Sequence, residues 1–153
     1  MFSAAIKRIR HKKLPTKIPG PSKVKVGFPK SAASGSNIQK AIWSEFGTRG
    51  GASGGGWGGP VPERPFMRNA MRDNRGKYKD AMKTSAAKIL RGDTGMTIVL
   101  AKLGILAQGD IQSEITSLSS PPNSPVTIAL KGSSKPLIDS GEMRQAVTWK
   151  IDE

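Results

Sequence analysis

The chain of 153 residues is long enough for one domain, and its 25 Lys and Arg residues against 11 Asp and Glu give a net charge of +14. It has no Cys, which excludes disulfides, thiol nucleophiles and thiolate metal sites, and its single His excludes a histidine-based metal site and a Ser-His-Asp triad. No apolar run reaches the ~18 residues of a bilayer span, so we expect no membrane contact, and we also expect no cofactor.

The positive charge is concentrated at the N-terminus, where ten basic residues and no acidic residue precede Glu45. Three prolines within residues 1–22 exclude a continuous helix through 14–22, so this segment is predicted to be an extended basic arm. An arm of this charge attracts polyanions, and both DNA and an acidic protein surface stay open as its partner; its prolines favour docking along a protein. The candidate polyanion or docking contacts are Lys7, Arg8, Arg10, Lys12 and Lys13.

The first regular elements follow the arm. Lys23–Phe28 alternates polar and apolar residues, which predicts a half-buried strand. Ile38–Phe46 places its apolar residues on one helical face, but Ile42–Phe46 also fits a strand, so the pattern leaves helix and strand open.

A glycine-rich segment comes next, with seven glycines in the eleven residues of 49–59. It lacks the Lys-Ser/Thr pair of a phosphate-binding P-loop, so we interpret it as a flexible surface loop. Trp57 is the exception within it, because a large apolar ring is costly to leave in water. We expect Trp57 to insert either into the core of its own domain or into a neighbouring subunit.

Two long helices are predicted in the second half. Phe66–Leu90 follows a proline-rich extended segment and has apolar residues at helical spacing, with Gly76 expected to weaken or bend it. The next helix is expected to have Asp93 or Thr94 as its cap and to run to about Leu118. The stripe expected to face the core comprises Met96, Val99, Leu100, Leu103, Leu106, Ala107, Ile111 and Ile115.

The C-terminal part contains shorter elements. Thr127–Gly132 is interpreted as extended or loop, Glu142–Gln145 as a short helical turn and Ala146–Ile151 as an alternating strand. Two strands near the ends with two helices between them predict an α+β fold, in which the helices pack on one face of a small antiparallel sheet. Residues 23–153 are predicted to form this single domain.

Three segments occur in a fixed order: Ile42–Thr48 (IWSEFGT), Val61–Arg68 (VPERPFMR) and Pro136–Met143 (PLIDSGEM). Together they resemble the tail-completion and head–tail joining (neck) proteins of tailed bacteriophages, of the virion-morphogenesis type, in which Thr is commoner where Ser140 stands. The resemblance covers roughly residues 40–150. It implies a small α+β subunit of a homo-oligomeric ring in the virion neck, assembled in the host cytoplasm and surrounding the DNA channel.

The resemblance implies structural work rather than catalysis. The expected partners are other copies of the chain, the portal or connector, the tail tube or tail terminator, and DNA contacted without sequence preference. An alternative from the charge alone is a basic nucleic-acid-binding protein without sequence specificity. The candidate subunit or partner contacts are Trp57, Arg64, Phe66 and Arg68. For Phe66 a second interpretation stays open, in which the prolines before it let the ring anchor the start of the helix in the core.

The carboxylates near these motifs have a simpler interpretation than catalysis. Glu45, Glu63 and Asp139 are expected to form ion pairs with Arg64 or Arg68. A catalytic role would need a cleft and a matched acid and base, which the residue pattern does not indicate, so we expect no enzymatic activity.

Overall fold

A computed structural model describes residues 18–49 and 60–152 of the chain. Its elements in chain order are β1 (Lys23–Gly27), α1 (Gly35–Phe46), α2 (Phe66–Asp73), α3 (Arg75–Arg91), α4 (Met96–Ser117), α5 (Pro125–Lys131), α6 (Glu142–Gln145) and β2 (Thr148–Asp152). The strands pair into a two-stranded antiparallel sheet, and the predicted α+β class is confirmed. Residues 1–17 of the predicted arm and residues 50–59 of the glycine-rich segment lie outside the described residues.

The sheet joins the two ends of the domain. Val24 lies opposite Ile151 and Val26 opposite Trp149, so the alternation in both sequences places apolar residues on one face. Helix α4 packs across both strands. Gly104 lets this helix approach closely, since a Cβ atom there would lie 2.6 Å from Cδ2 of Trp149.

The main core lies where α2, α4 and the C-terminal segment meet. Four large side chains are fully buried: Phe66 from α2, Ile111 and Ile115 from α4, and Val147 just before β2. Leu137 and other apolar residues from α1, α2 and α6 complete this cluster. Burial of such side chains stabilises the fold by about 1.5–3 kcal/mol for each residue.

The helix predicted over Phe66–Leu90 is two helices, with the break at Asn74. The Asn74 side chain donates its Nδ2 hydrogen bond to the carbonyl of Ala70 at 2.9 Å, so the amide competes with the helical ladder. Gly76, where we predicted the bend, lies inside α3 with open space around it. The position of the bend was therefore wrong by two residues.

The residues at the N-terminal ends of three other helices differ in how they cap the helix. Ser34 accepts a hydrogen bond from the backbone of Asn37, so the segment ending at Phe46 is a helix and not a strand. Ser124 caps α5 in the same way, and the extended or loop interpretation of Thr127–Gly132 was wrong. Helix α4 has Gly95 at its N-cap without a side-chain bond, so neither Asp93 nor Thr94 caps it.

Candidate functional site

The residues that carry the family resemblance meet at a polar junction between α1 and α2. Glu45, in the last turn of α1, is 4% exposed, and its carboxylate accepts backbone N–H bonds from Met67 at 2.9 Å and Arg68 at 3.1 Å. These groups belong to the first turn of α2, where backbone N–H groups have no helical partner and a negative charge is stabilising. One helix therefore caps the next.

Arg68 completes the junction on its solvent side. Its Nε donates to Glu45 Oε1 at 2.9 Å, and its Nη2 donates to the backbone oxygen of Glu45 at 2.6 Å and to the Glu63 carboxylate. These hydrogen bonds, first the one to Glu45 and then the one to Glu63, raise the pKa of Arg68. The guanidinium also lies 5.3 Å from the ring centroid of Phe46. Half of the Arg68 side chain is exposed, so its predicted contact with a partner stays a prediction.

Arg64 has a different role from the one expected. It is 5% exposed, and it donates from Nε to Pro121 O at 2.7 Å and from Nη2 to Pro122 O at 3.0 Å and to Asn123 Oδ1 at 3.1 Å. Burial lowers the pKa of Arg64. Among the described residues Arg64 forms no ion pair. The ion pairs expected for Glu45 and Glu63 are confirmed with Arg68, whereas Asp139 pairs with neither arginine.

Phe66 is fully buried and packs edge-to-face against Phe28, with ring centroids 6.1 Å apart. It therefore anchors the start of α2 inside its own chain and presents no surface to a neighbour. Arg64 is likewise occupied by the loop at Pro121–Asn123. The interpretation of Phe66 and Arg64 as subunit contacts was wrong, because both side chains are used within the fold.

The third motif lies beside a shallow recess. Leu137 and Met143 are buried in the core, while Asp139 is exposed at the edge of a recess of about 220 Å³. Lys131 also lines it, and its ammonium donates to the carbonyls of Lys135 at 3.3 Å and Pro136 at 3.2 Å. Burial lowers the pKa of Lys131, and Asp139 opposes that shift. The ammonium is thus engaged with backbone carbonyls and is poorly placed to serve as a base.

The remaining candidate residues fall outside the described chain. Trp57 belongs to the glycine-rich segment, so its predicted insertion into a core or a neighbour stays a prediction. The same holds for the arm residues Lys7, Arg8, Arg10, Lys12 and Lys13.

Exposed apolar pairs that the sequence interpretation did not identify lie on α1, α4 and α5; the α5 pair consists of Val126 (69% exposed) and Leu130 (83% exposed). The α1 patch consists of Ile42 (52% exposed) and Phe46 (66% exposed), which border a recess of about 430 Å³ lined largely by apolar side chains. The α4 patch consists of Ile98 (53% exposed) and Ile105 (60% exposed), seven residues apart and so on one helical face. A signal for the α4 patch existed in the sequence, because both isoleucines fall outside the stripe predicted to face the core.

No family model, curated protein or solved structure matches the chain. Within residues 18–49 and 60–152, no group of three or more His, Asp or Glu side chains is placed to hold a metal ion. Over the same two stretches, no helix combines the length and apolar character that a membrane crossing requires.

Proposed function

We propose that the chain is a structural virion subunit of a tailed bacteriophage, which forms a ring at the neck and joins the head connector to the tail around the DNA channel. The observation that carries this proposal is the pair of separate exposed patches on α1 and α4. Its partners are further copies of itself, the portal or connector on one side, and the tail tube or tail terminator on the other. The work is assembly rather than catalysis.

Two different patches suit a ring. In a head-to-tail interface the surface that one subunit presents differs from the surface it accepts, and such an interface closes into a ring when the rotation permits. A two-fold dimer needs only one patch, which pairs with its own copy. Single exposed apolar residues are normal on any protein, but Ile42 with Phe46 and Ile98 with Ile105 each form a pair on one helical face.

The polar junction adds support for the family resemblance. Glu45, Arg64 and Arg68 come from the two motifs that flank the glycine-rich segment, and they link α1, α2 and the loop at Pro121–Asn123. Their hydrogen bonds hold secondary structure elements together and leave no free acid and base facing each other. Motif residues that maintain a fold are expected in a family whose function is to assemble.

The test uses two double variants of the purified chain and measures mass as a function of concentration. Ile42→Glu with Phe46→Glu removes the α1 patch, and Ile98→Glu with Ile105→Glu removes the α4 patch. Each variant alone should stay monomeric. A mixture of the two should form dimers of one chain of each kind, because each variant keeps the patch that the other has lost.

A control variant with Ser119→Glu and Ser134→Glu adds the same charge at exposed loop positions and should assemble like the wild type. In phage particles supplied with either patch variant, heads should fail to join tails. Unchanged assembly of both patch variants would remove the support for the ring. A wild-type chain that is monomeric at every concentration and missing from purified virions would refute the proposal.

A further inference from the structure

Helix α3 carries more basic residues than acidic partners bind within the described part of the chain. It contains six Lys and Arg residues and one acidic residue, Asp80. Lys77 binds Asp110 at 2.7 Å, and Lys83 lies 3.9 Å from Asp80. The other four form no ion pair in the described part of the chain: Arg75, Lys79, Lys88 and Arg91.

Three of the six basic residues of α3 form a row. Arg75, Lys79 and Lys83 are exposed and follow one another at intervals of four residues, so they lie on one face about 6 Å apart along the helix axis. Like charges at this spacing destabilise a helix. The row therefore costs stability within the chain, and no acidic neighbour among the described residues binds Arg75 or Lys79 in return.

The helix is held on the domain by the face next to this row. Tyr78 donates a hydrogen bond to Asp110 of α4 at 2.7 Å, and Met82 and Ile89 are half-buried on that side. None of the residues of α3 is fully buried. The helix thus lies along α4 as an outer layer and presents its basic row to the surroundings.

We propose that the row formed by Arg75, Lys79 and Lys83 binds the phosphate backbone of duplex DNA without reading its sequence. This inference rests on the proposed function, in which the chain surrounds a DNA channel, and it identifies the surface that faces the DNA. Lys and Arg neutralise phosphates and release their counterions, which favours binding. Lys is depleted from protein–protein interfaces, so a row rich in Lys suits nucleic acid better than an acidic protein.

Helix α3 offers no aromatic ring for stacking beside the row, which indicates contact with the DNA backbone rather than with bases. Tyr78 is the aromatic residue of α3, and its hydroxyl is bound to Asp110 on the side facing α4. Base stacking on aromatic rings is the usual means of binding single strands, and base-edge contacts are needed to read a sequence. The basic row provides charge alone, which lets DNA slide past it.

The test compares two triple variants that lose the same charge. Arg75→Gln, Lys79→Gln and Lys83→Gln remove the row, and Lys23→Gln, Lys135→Gln and Lys150→Gln remove three exposed charges elsewhere. Binding to a short mixed-sequence DNA duplex is measured by fluorescence anisotropy over a series of salt concentrations. The slope of log K against log salt should become shallower by about 2.7 in the row variant, since each phosphate contact contributes about 0.9. The control variant should keep the wild-type slope.

If the two variants lose DNA affinity equally, only the total charge of the protein matters, and the assignment of DNA binding to the row is wrong. If the slope of log K against log salt is unchanged in the row variant, DNA binds elsewhere on the protein and the assignment is also wrong. If the row variant binds DNA like the wild type but fails to join heads to tails, α3 docks on an acidic protein and the proposal is wrong. The mass of the oligomer is measured in parallel, and a row variant that still assembles separates this failure from a failure of the ring.

Discussion

The carboxylate of Glu45 and the guanidinium of Arg68 hold each other across 23 residues of sequence, with Arg68 Nε 2.9 Å from Glu45 Oε1. The same carboxylate accepts the backbone N–H of Arg68 at 3.1 Å. The residue before α2 is Pro65, which makes no side-chain cap bond, so the cap of this helix comes from α1. The packing of α1 on α2 and the start of α2 therefore depend on one side chain.

Glu45→Gln should destabilise the protein by about 1–3 kcal/mol, because one carboxylate oxygen becomes an NH₂ group that faces N–H donors. Glu63→Gln is the matched control and should cost no more than about 1 kcal/mol, since Glu63 is half-exposed where it meets Arg68. Urea denaturation of both variants measures the difference. Equal costs would mean that the cap contributes nothing beyond an exposed ion pair.

Phe66→Ala should lower the free energy of unfolding by about 3–5 kcal/mol, because the ring is fully buried and its removal leaves a cavity in the core. Phe46→Ala removes the same ring from a position that is 66% exposed and should cost far less. The two variants are compared by chemical denaturation. A small cost for Phe66→Ala would contradict the anchoring of α2 in the core.

Gly104→Ala and Gly109→Ala are the same substitution at two positions of α4, and we expect the first to destabilise the protein and the second to stabilise it. At Gly104 the added methyl would lie 2.6 Å from the Trp149 indole, and overpacking of this kind costs about 1–3 kcal/mol. At Gly109 a Cβ meets open space, so the better helix propensity of Ala should stabilise by about 0.5–1 kcal/mol. Thermal unfolding of the two variants decides, and stabilisation by both would refute close packing of α4 on the sheet.

Tyr78 should titrate abnormally. Burial, the hydrogen bond to Asp110 and the charge of Asp110 raise its pKa above the ordinary value of about 10. The unfolded chain loses this proton at lower pH than the folded chain, so the contribution of Tyr78 to stability is complete below about pH 10 and is lost as the pH rises through the folded-state pKa.

Tyr78 is the single tyrosine of the chain, so phenolate absorbance reports this group alone. The folded protein should ionise at higher pH than the protein in denaturant. Replacement by Phe should remove the corresponding part of the alkaline loss of stability. Identical titration curves in the folded and denatured states would contradict the contact with Asp110.

Much of the fold could be predicted from local pattern. The alternation at Lys23–Phe28 and near the C-terminus indicated the two strands, and the apolar stripe of α4 indicated its buried face, with Ile111 and Ile115 fully buried. The α+β class follows from the order of these elements. Periodicity succeeds here because a strand or a long helix repeats its environment every two or 3.6 residues.

The candidate site could be located from the sequence but not explained by it. The motifs pointed to Arg64, Phe66 and Arg68, but they left Phe66 open between a core anchor and a subunit contact and did not indicate that Arg64 is buried. Only the tertiary structure decided that Arg64 binds the loop at Pro121–Asn123 and that Phe66 is buried. Hydrogen bonds between residues more than twenty positions apart leave no periodic trace in a sequence.

The sequence by itself determined which stretches are helices and strands wherever a long pattern existed, and it determined that positive charge dominates the chain. The tertiary structure decided where the helix after Phe66 breaks, how α2 is capped, and which isoleucines of α4 remain exposed. The break depends on a single amide, that of Asn74, and the cap on a carboxylate from another helix, Glu45. Exposure of Ile98 and Ile105 depends on which faces of α4 the sheet and α3 cover, and that is a property of the packed chain rather than of any segment.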